Sequence, residues 1–340
     1  MGKINLKNFW IVSGALFLFF GLFIIWVFFI GLTTDETGGF YNKGHNAVWI
    51  AHEWAEEKKT DREIQDLVVD LEKHDIDTIY LHVGPLKSDG KIDGSTYGET
   101  LNFFDKVKRF KNEMKVYAWI GQLRGKINLE VSDVRRNIVN MTMIFTKMMG
   151  MDGVHIDIEP VWDGDKDFIK LLAELRDVLD TGEGIGSDRK FLSVALAEFI
   201  PSSFVWWVEE VADYKNYNTE VNYLNVAKYA DQIVDMVYDT GIDREWLYQW
   251  LVKEQVIWIT DLLDEQDETG TEFLIGVPAY DDQKEGFNPE VENIGVALVG
   301  VINGLNDIRA NEGKFTGVAI YSGWEMDENE WEIYDGLWLE

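Results

Sequence analysis

The sequence predicts an α/β protein, a (β/α)8 TIM barrel preceded by one N-terminal transmembrane helix. Two observations lead to this fold class. A charge-free, almost wholly apolar run lies near the N-terminus, and after it short β-branched or aromatic runs alternate with amphipathic stretches. Eight such alternations are typical of a closed barrel of parallel strands. A doubly wound open sheet is the alternative arrangement of the same elements.

Residues 1–34 are predicted to form a short cytoplasmic stub and a membrane anchor. The apolar run at residues 9–32 is 24 residues long, and a helix needs about 20 to cross a bilayer. A cleaved signal peptide has only roughly 7–15 apolar residues before a small-residue cleavage site. Two lysines precede the run and two acidic residues follow it, which leaves the N-terminus in the cytoplasm and residues 35–340 outside. We therefore expect a single-pass protein of the cell membrane.

The chain is strongly acidic and has no cysteine. Its 340 residues include 31 lysines and arginines against 61 aspartates and glutamates, a formal net charge of −30. Such a surface repels nucleic acid and anionic lipid headgroups, so no nucleic acid partner is expected. The absence of cysteine excludes disulfides and thiolate metal sites.

Residues 35–46 are polar and glycine-rich and are predicted to be a linker. Residues 47–340 are predicted to form one barrel domain. Its candidate strands are Ala47–His52, Thr78–Val83, Val116–Ile120, Gly153–Ile158, Phe191–Ala197, Gln232–Tyr238, Glu272–Val277 and Gly317–Tyr321. Helical stretches are predicted near residues 61–73, 98–112, 131–149, 165–180, 219–229, 243–264 and 289–308.

The fourth candidate strand carries acidic side chains to its C-terminal tip. Alternate strand residues share a face, so His155, Asp157 and Glu159 point one way and the apolar residues between them point the other. Successive same-face Cβ atoms lie roughly 6–7 Å apart, so the two carboxylates can push their pKa values apart. Pro160 lacks an N–H and ends the ladder. In a barrel that tip is where catalysis occurs, although an ordinary buried strand carrying two acids is the alternative.

Several strand ends together resemble the family 18 glycoside hydrolases, which are chitinase-like. D-G-x-H-x-D-x-E at 152–159 is similar to the D-x-x-D-x-D-x-E signature of that family. Residues 235–239 (DMVYD) resemble its M-x-Y-D, and residues 274–280 resemble its G-x-P-x-Y. Residues 317–324 look like its eighth strand, which ends in a tryptophan. Residues 77–83 and 115–121 look like its second and third strands, so the resemblance spans about residues 47–335.

The resemblance implies a site and a mechanism. Glu159 would be the general acid, and Asp157 would orient the N-acetyl group of the substrate. That group would attack the anomeric carbon, which gives retention without an enzyme nucleophile. Tyr238 and Asp239 would hold the acetamido group, and Trp324 would stack under the sugar. The implied function is hydrolysis of an N-acetylated glycan, a polysaccharide or cell-surface glycan, by a domain outside the membrane.

One residue departs from the pattern of the family. His155 stands where the family has the middle aspartate of its signature. A neutral histidine can hydrogen-bond Asp157, and a protonated one lowers the pKa of Asp157. His155 is therefore predicted, with Tyr280 of the seventh-strand motif, to be among the substrate-binding residues.

The same residues support a glycosidase on chemical grounds. Such an enzyme needs a protonated acid at the glycosidic oxygen and a group that stabilises positive charge at the anomeric carbon. Burial and like charge near Asp157 can keep Glu159 protonated, and Tyr238 can donate a hydrogen bond to a developing negative oxygen. Two other functions stay open: a barrel that binds glycan or a partner without cleaving it, and a hydrolase of another family that acts on a non-acetylated glycan.

No cofactor or metal is expected. The acidic residues between Asp163 and Glu174 have the spacing of a calcium loop, but Phe168 stands where that loop needs glycine. A solvated loop that caps the following helix is the better interpretation. The long region 181–220 contains several aromatic residues and is either a loop over the site or a barrel helix with a wet edge.

Overall fold

The computed structural model describes residues 38–181, 189–210, 214–266, 268, 270–281 and 286–340. The predicted anchor at residues 9–32, with all of residues 1–37, lies outside these ranges. No helix within the described ranges is both long and apolar enough to cross a bilayer.

Eight parallel strands close into a barrel in which each strand pairs with its neighbours in sequence and β1 pairs with β8. The predicted barrel is thus confirmed, and the open-sheet alternative is wrong. The strands are β1 (Asn46–Ile50), β2 (Ile76–Pro85), β3 (Lys115–Leu123), β4 (Gly153–Glu159), β5 (Phe191–Ala197), β6 (Gln232–Met236), β7 (Glu272–Pro278) and β8 (Phe315–Tyr321).

Helices surround the barrel and separate successive strands. They are α1 (Glu53–Glu56), α2 (Asp61–Lys73), α3 (Tyr97–Phe110), α4 (Ser132–Met143), α5 (Lys166–Asp180), α6 (Val205–Glu210), α7 (Glu220–Ala227), α8 (Glu245–Gln266), α9 (Ile294–Leu305) and α10 (Glu328–Tyr334). Two of them, α1 and α10, were not predicted, because four and seven residues are too few to show a helical period. The short helix α6 lies in region 181–220, where a helix was one of the two alternatives. A π-helical turn extends α4 over Ile144–Met148.

Capping residues set where several helices begin. Thr60 and Glu63 form a reciprocal capping box at α2. The side chain of Asn293 accepts a hydrogen bond from the Val296 amide at 3.1 Å, so α9 begins at Ile294 instead of at the predicted residue 289. Strand β6 ends at Met236, two residues before its predicted end, and Asp239 then turns the chain with φ +59°.

The barrel interior is filled by aromatic side chains. Trp49, Tyr80, Tyr117 and Trp119 from β1–β3 are all buried there. Tyr117 stacks on Phe191, with their ring centroids 5.1 Å apart, near the N-terminal ends of their strands. The interior near the N-terminal ends of these strands is therefore packed, and in such barrels the ligand site lies at the C-terminal end.

The described part of the predicted linker packs on the barrel. Tyr41 is buried and its hydroxyl donates to the side chain of Asn306. Asn46 accepts a 2.9 Å hydrogen bond from the indole of Trp338 near the C-terminus. The polar residues that suggested a linker are therefore partly used in hydrogen bonds that join the two ends of the domain.

Behind β6, between the barrel and its helices, lies a pair of buried carboxyl groups. Asp235 is fully buried and accepts a 2.7 Å hydrogen bond from Tyr223 of α7. Glu198 follows β5, is 2% exposed and accepts a 2.5 Å hydrogen bond from Tyr214. Burial raises the pKa of Asp235 to about 7, and burial together with the charge of Asp235 raises the pKa of Glu198 well above its usual value.

Asp235→Asn is expected to change how stability depends on pH. A carboxyl group whose pKa is raised on folding holds its proton where the unfolded chain has lost it. Its contribution to stability therefore falls as the pH rises from about 4 to about 7. The amide has no such dependence but can still accept from Tyr223. Relative to wild type, the variant should gain up to about 3 kcal/mol in free energy of unfolding between pH 5 and pH 8.

Urea unfolding at the two pH values measures this difference. Asp105→Asn, on the exposed side of α3, is the matched control and should follow wild type at both pH values. Parallel pH dependences for wild type and Asp235→Asn would show that Asp235 is already ionised in the folded protein.

Candidate active site

Strand β4 places three polar side chains at increasing height inside the barrel. His155, Asp157 and Glu159 occupy alternate positions, while Val154, Ile156 and Ile158 are fully buried on the opposite face. His155 is fully buried, whereas Asp157 and Glu159 are partly exposed. The three groups therefore meet different environments, although they belong to one strand.

His155 lies in a closed hydrogen-bond network in the barrel interior. The indole N–H of Trp49 donates to its Nε2 at 3.1 Å, so the ring proton lies on Nδ1, which is 2.8 Å from Ser193 Oγ. Ser193 donates in turn to Gln232 at 2.8 Å. The ring of Tyr80 stacks on the imidazole, with their centroids 4.0 Å apart.

This position corrects the role predicted for His155. Both ring nitrogens have protein partners, so His155 bonds neither Asp157 nor a ligand above it. Burial lowers the pKa of His155 to about 3, which keeps the ring neutral at physiological pH. His155 therefore packs in the barrel interior beneath the site and is not among the residues that line it.

Asp157 takes its hydrogen bond from a tryptophan. The indole N–H of Trp119, the paired strand's residue beside His155, donates to Asp157 Oδ2 at 2.8 Å. The other oxygen, Oδ1, is buried and has no hydrogen-bond partner among the described residues. Burial raises the pKa of Asp157 to about 6, and the bond from Trp119 limits the rise.

Glu159 is the last residue of β4 and pairs with Leu123 at the end of β3. Its charge helps to raise the pKa values of two tyrosines, Tyr238 and Tyr321, after the larger effect of their burial. Glu159, Tyr238 and Tyr321 all lie at or just beyond the C-terminal ends of their strands, at the open end of the barrel.

Two further predicted residues, Tyr238 and Tyr280, stand at the same end. Their rings meet edge to face, with centroids 6.2 Å apart. The hydroxyl of Tyr280 donates to Asp239 Oδ1 at 2.7 Å. Burial raises the pKa of Tyr238 well above its usual value, so its hydroxyl stays protonated and can act as a donor.

The aromatic ring at the centre of the site is one that the sequence analysis missed. Tyr321, the last residue of β8, stacks on Tyr238 at 5.3 Å and contacts Trp49, Trp119 and Tyr280 edge to face. The alternation of Gly317, Ala319 and Tyr321 along β8 was the signal that could have identified it.

Trp324, which the resemblance places under the sugar, follows the end of β8 by three residues. It is 41% exposed and its indole donates to Glu325 at 3.1 Å. Its ring meets Tyr321 edge to face at 5.7 Å. Trp324 therefore extends the aromatic surface outward from Tyr321.

Region 181–220, where the structure describes it, contains a short helix in the connection that follows β5. Trp206 and Trp207 are 61% and 58% exposed on the short helix α6, which follows the C-terminal end of β5. These aromatic residues belong to a loop on the open side of the barrel. Residues 182–188 and 211–213 of the region lie outside the described ranges.

The arrangement suits acid–base chemistry on a neutral ligand with flat apolar faces. It combines two partly exposed carboxyl groups on one strand, protonated phenol donors and exposed aromatic rings. The described residues contain no group of three or more histidine or acidic side chains placed to hold a metal ion.

One comparison identifies a family, and another identifies solved structures with the same fold. The family model described as glycosyl hydrolases family 18 matches residues 48–331. A Group IV chitinase from Ostrinia furnacalis aligns over 87% of this chain and 100% of its own, with a TM-score of 0.56 and 12% identity. A class V chitinase from Pseudomonas fluorescens aligns over 87% of this chain and 99% of its own, with a TM-score of 0.55 and 12% identity.

A third structure, a family 18 chitinase mutant from Cycas revoluta in complex with (GlcNAc)4, aligns over 86% of this chain and 99% of its own. Its TM-score is 0.55 and its identity is 13%. At such low identities these structures establish the shared fold. The search of curated proteins returned no match.

Proposed function

The chain belongs to family 18 of the glycosyl hydrolases and is a glycosidase, and we propose that it cleaves an N-acetylated glycan by a retaining, substrate-assisted mechanism. We further propose that it does so outside the cell from a membrane anchor. The observation that carries the catalytic part is the buried Oδ1 of Asp157, which has no hydrogen-bond partner among the described residues, on the strand that ends at Glu159.

Each of these groups has one part in the proposed reaction. Glu159 donates its proton to the glycosidic oxygen as the bond from that oxygen to the anomeric carbon breaks. The acetamido oxygen of the same sugar forms a new bond to the anomeric carbon from the opposite face. Water then opens this cyclic intermediate, assisted by Glu159 as base, and two inversions give net retention.

Asp157 and Tyr238 hold the attacking group. The acetamido N–H donates to Asp157, whose Oδ1 is available to accept it, and this bond stabilises the positive charge of the cyclic intermediate. The hydroxyl of Tyr238 can donate to the acetamido oxygen and aim it. Asp239 and Tyr280, already joined by a hydrogen bond, would close the side of the same pocket.

The rings of Tyr321 and Trp324 supply the apolar surface on which a sugar can rest. Aromatic faces match the C–H faces of pyranose rings, and both rings are at least partly exposed at the open end. The complex of the Cycas revoluta chitinase with (GlcNAc)4 makes N-acetylglucosamine oligomers the natural first substrates to test.

The histidine in the motif does not argue against catalysis. Because His155 is neutral and bonded away from Asp157, the proposed reaction has no proton transfer through it. Trp119 takes the place of an aspartate as the hydrogen-bond partner of Asp157. A neutral donor stabilises the ionised Asp157 without adding a second titrating group.

The proposed anchor is residues 9–32. Their almost wholly apolar length suits a bilayer, and the positive-inside rule applied to the flanking charges supports a position of residues 35–340 outside the cytoplasm. An acidic domain held at a cell surface would meet glycans before any cytoplasmic polymer.

Glu159→Gln should lower turnover of N-acetylglucosamine oligomers by about 10²- to 10⁴-fold, because the amide cannot donate a proton to the leaving oxygen. The measurement is release of shorter oligomers, followed by chromatography. Glu325→Gln is the matched control: it alters an exposed glutamate at the rim that can still accept from Trp324. Equal turnover by wild type and Glu159→Gln would show that Glu159 is not the general acid. If the wild-type protein binds the oligomers but does not cleave them, a non-catalytic barrel is favoured.

The products should keep the anomeric configuration of the substrate. Proton NMR of freshly formed product, recorded before mutarotation, distinguishes the outcomes. A thiazoline analogue of the cyclic intermediate should also inhibit competitively. Inverted product, or indifference to the thiazoline, would exclude participation of the acetamido group.

The full chain should sediment with membranes, whereas a variant lacking residues 1–34 should stay in the supernatant, because the apolar segment is the only proposed anchor. In intact cells, added protease should digest the domain of the full-length protein. Full-length protein in the supernatant, or a domain protected from the protease, would contradict the proposed placement.

A further inference from the structure

Strand β2 places a histidine against the indole that bonds Asp157. His82 and Trp119 are paired in the β2–β3 register, and their ring centroids lie 4.5 Å apart with the ring planes inclined at 51°. His82 shares the interior face of β2 with Tyr80, two residues earlier in the chain. The histidine is therefore a direct neighbour of Trp119, although it is not among the groups that the proposed reaction uses.

The indole of Trp119 extends along β3 toward the open end of the barrel. Its Nε1 donates to Asp157 Oδ2 at 2.8 Å, and Asp157 is paired with Gly121, two residues beyond Trp119. A Cβ atom on Gly121 would lie 3.2 Å from that Nε1 and 3.8 Å from Asp157 Oδ2. The glycine therefore leaves room for the indole to reach the carboxylate.

Two other rings limit where the indole can lie. His82 contacts it from β2, the strand next to β3, and Tyr321 of β8 meets it edge to face with ring centroids 6.4 Å apart. The centroid of the imidazole is nearer to that of the indole than the centroid of the phenol is. Loss of the imidazole would therefore leave the larger space beside the indole.

His82 is uncharged at neutral pH. Burial and, after it, the charge of His52 lower the pKa of His82 to about 4. A neutral imidazole adds no charge beside Asp157, so its effect on the carboxylate passes through the indole that it contacts. A flat ring packed against the indole reduces the number of positions that the indole can adopt.

We propose that His82 is a positioning residue, which holds the indole of Trp119 in the orientation from which it donates to Asp157. The inference rests on the proposed function, because its consequence is that Asp157 stays ionised to accept the acetamido N–H. Loss of the ring contact would weaken the hydrogen bond from Trp119 and so favour the protonated form of Asp157.

Other ionisable groups share the open end of the barrel with Asp157, and all of them remain when His82 is replaced. They are Glu159 on β4, Tyr238 and Asp239 after β6, Tyr280 after β7, Tyr321 on β8 and Glu325 after it, with His155 beneath them and His52 beside His82. A smaller side chain at position 82 would admit water and lower the pKa of Asp157, whereas loss of the hydrogen bond would raise it. The two effects of the substitution therefore have opposite signs.

The test measures kcat/KM of the full chain, purified in detergent, on N-acetylglucosamine oligomers between pH 5 and pH 8. The acid limb of the profile should reflect Asp157, whose pKa burial raises to about 6. His82→Ala should lower kcat/KM by about tenfold at pH 5 and by less than about threefold at pH 8, because less Asp157 is then ionised at low pH. His82→Phe, which keeps a flat ring, should recover most of the loss.

Trp119→Phe removes the indole donor and should move the acid limb in the same direction. With this substitution present, His82→Ala should lower kcat/KM by less than about twofold, because the hydrogen bond through which His82 acts is already absent. His45→Ala is the matched control, since that imidazole precedes β1 at the other end of the barrel and pairs with Asp77 at 2.9 Å. It should leave the profile unchanged.

An acid limb at lower pH in His82→Ala, or additive losses in the double variant, would overturn the proposal. A measurement without turnover separates it from the proposed function. In protein labelled with fluorotryptophan, the fluorine NMR signal of Trp119, identified by its absence in Trp119→Phe, should titrate with Asp157 and should do so at higher pH in His82→Ala. Such a shift without cleavage would reject only the reaction, whereas cleavage with an unchanged titration would reject only the role of His82. Thermal unfolding shows whether each variant is folded.

Discussion

The period of two along strand β4 is the constraint on which the chemistry of this protein depends. Because the barrel is closed, every second residue must enter its interior, and the height of each residue along the strand sets how much water it meets. His155 enters the aromatic interior and is neutral, Asp157 is held between that interior and the mouth, and Glu159 is at the tip. In the proposed reaction, one strand therefore provides a support, a hydrogen-bond acceptor and a general acid.

Burial shifts the pKa values of ionisable side chains on both faces of the barrel sheet. Desolvation keeps His155 unprotonated inside the barrel and favours the protonated form of Asp235 outside it. The two groups make the stability of the protein depend on pH in opposite ways below neutrality. A histidine with a lowered pKa contributes less to stability as the pH falls, whereas a carboxyl group with a raised pKa contributes less as the pH rises. A chain with a formal net charge of −30 can thus bury acidic groups without a cation beside each of them.

The barrel and its eight strands could be predicted because each strand is a short apolar run with its own period, and the motif residues could be placed because they follow those runs. Tyr321 could not be singled out from the motif at residues 317–324, because that motif is defined by the tryptophan at its end, whereas the strand ends three residues earlier. The contact of His82 with Trp119 could not be predicted, because it joins side chains from different strands and no local pattern records it. The separation of His155 from Asp157 depends on Trp49 and Ser193, more than thirty residues away in either direction.

The hydrogen-bond network around His155 also limits which side chains can occupy position 155. An imidazole offers one acceptor and one donor on opposite sides of a ring, and Trp49 and Ser193 are oriented to match that polarity. An ionised aspartate at position 155 would offer only acceptors and would bring a charge into a fully buried site. The Ser193 hydroxyl, which donates to Gln232 in this structure, would have to turn and donate to the aspartate instead. A change at position 155 would therefore propagate through the hydrogen bonds that reach Gln232 and Tyr80 on other strands.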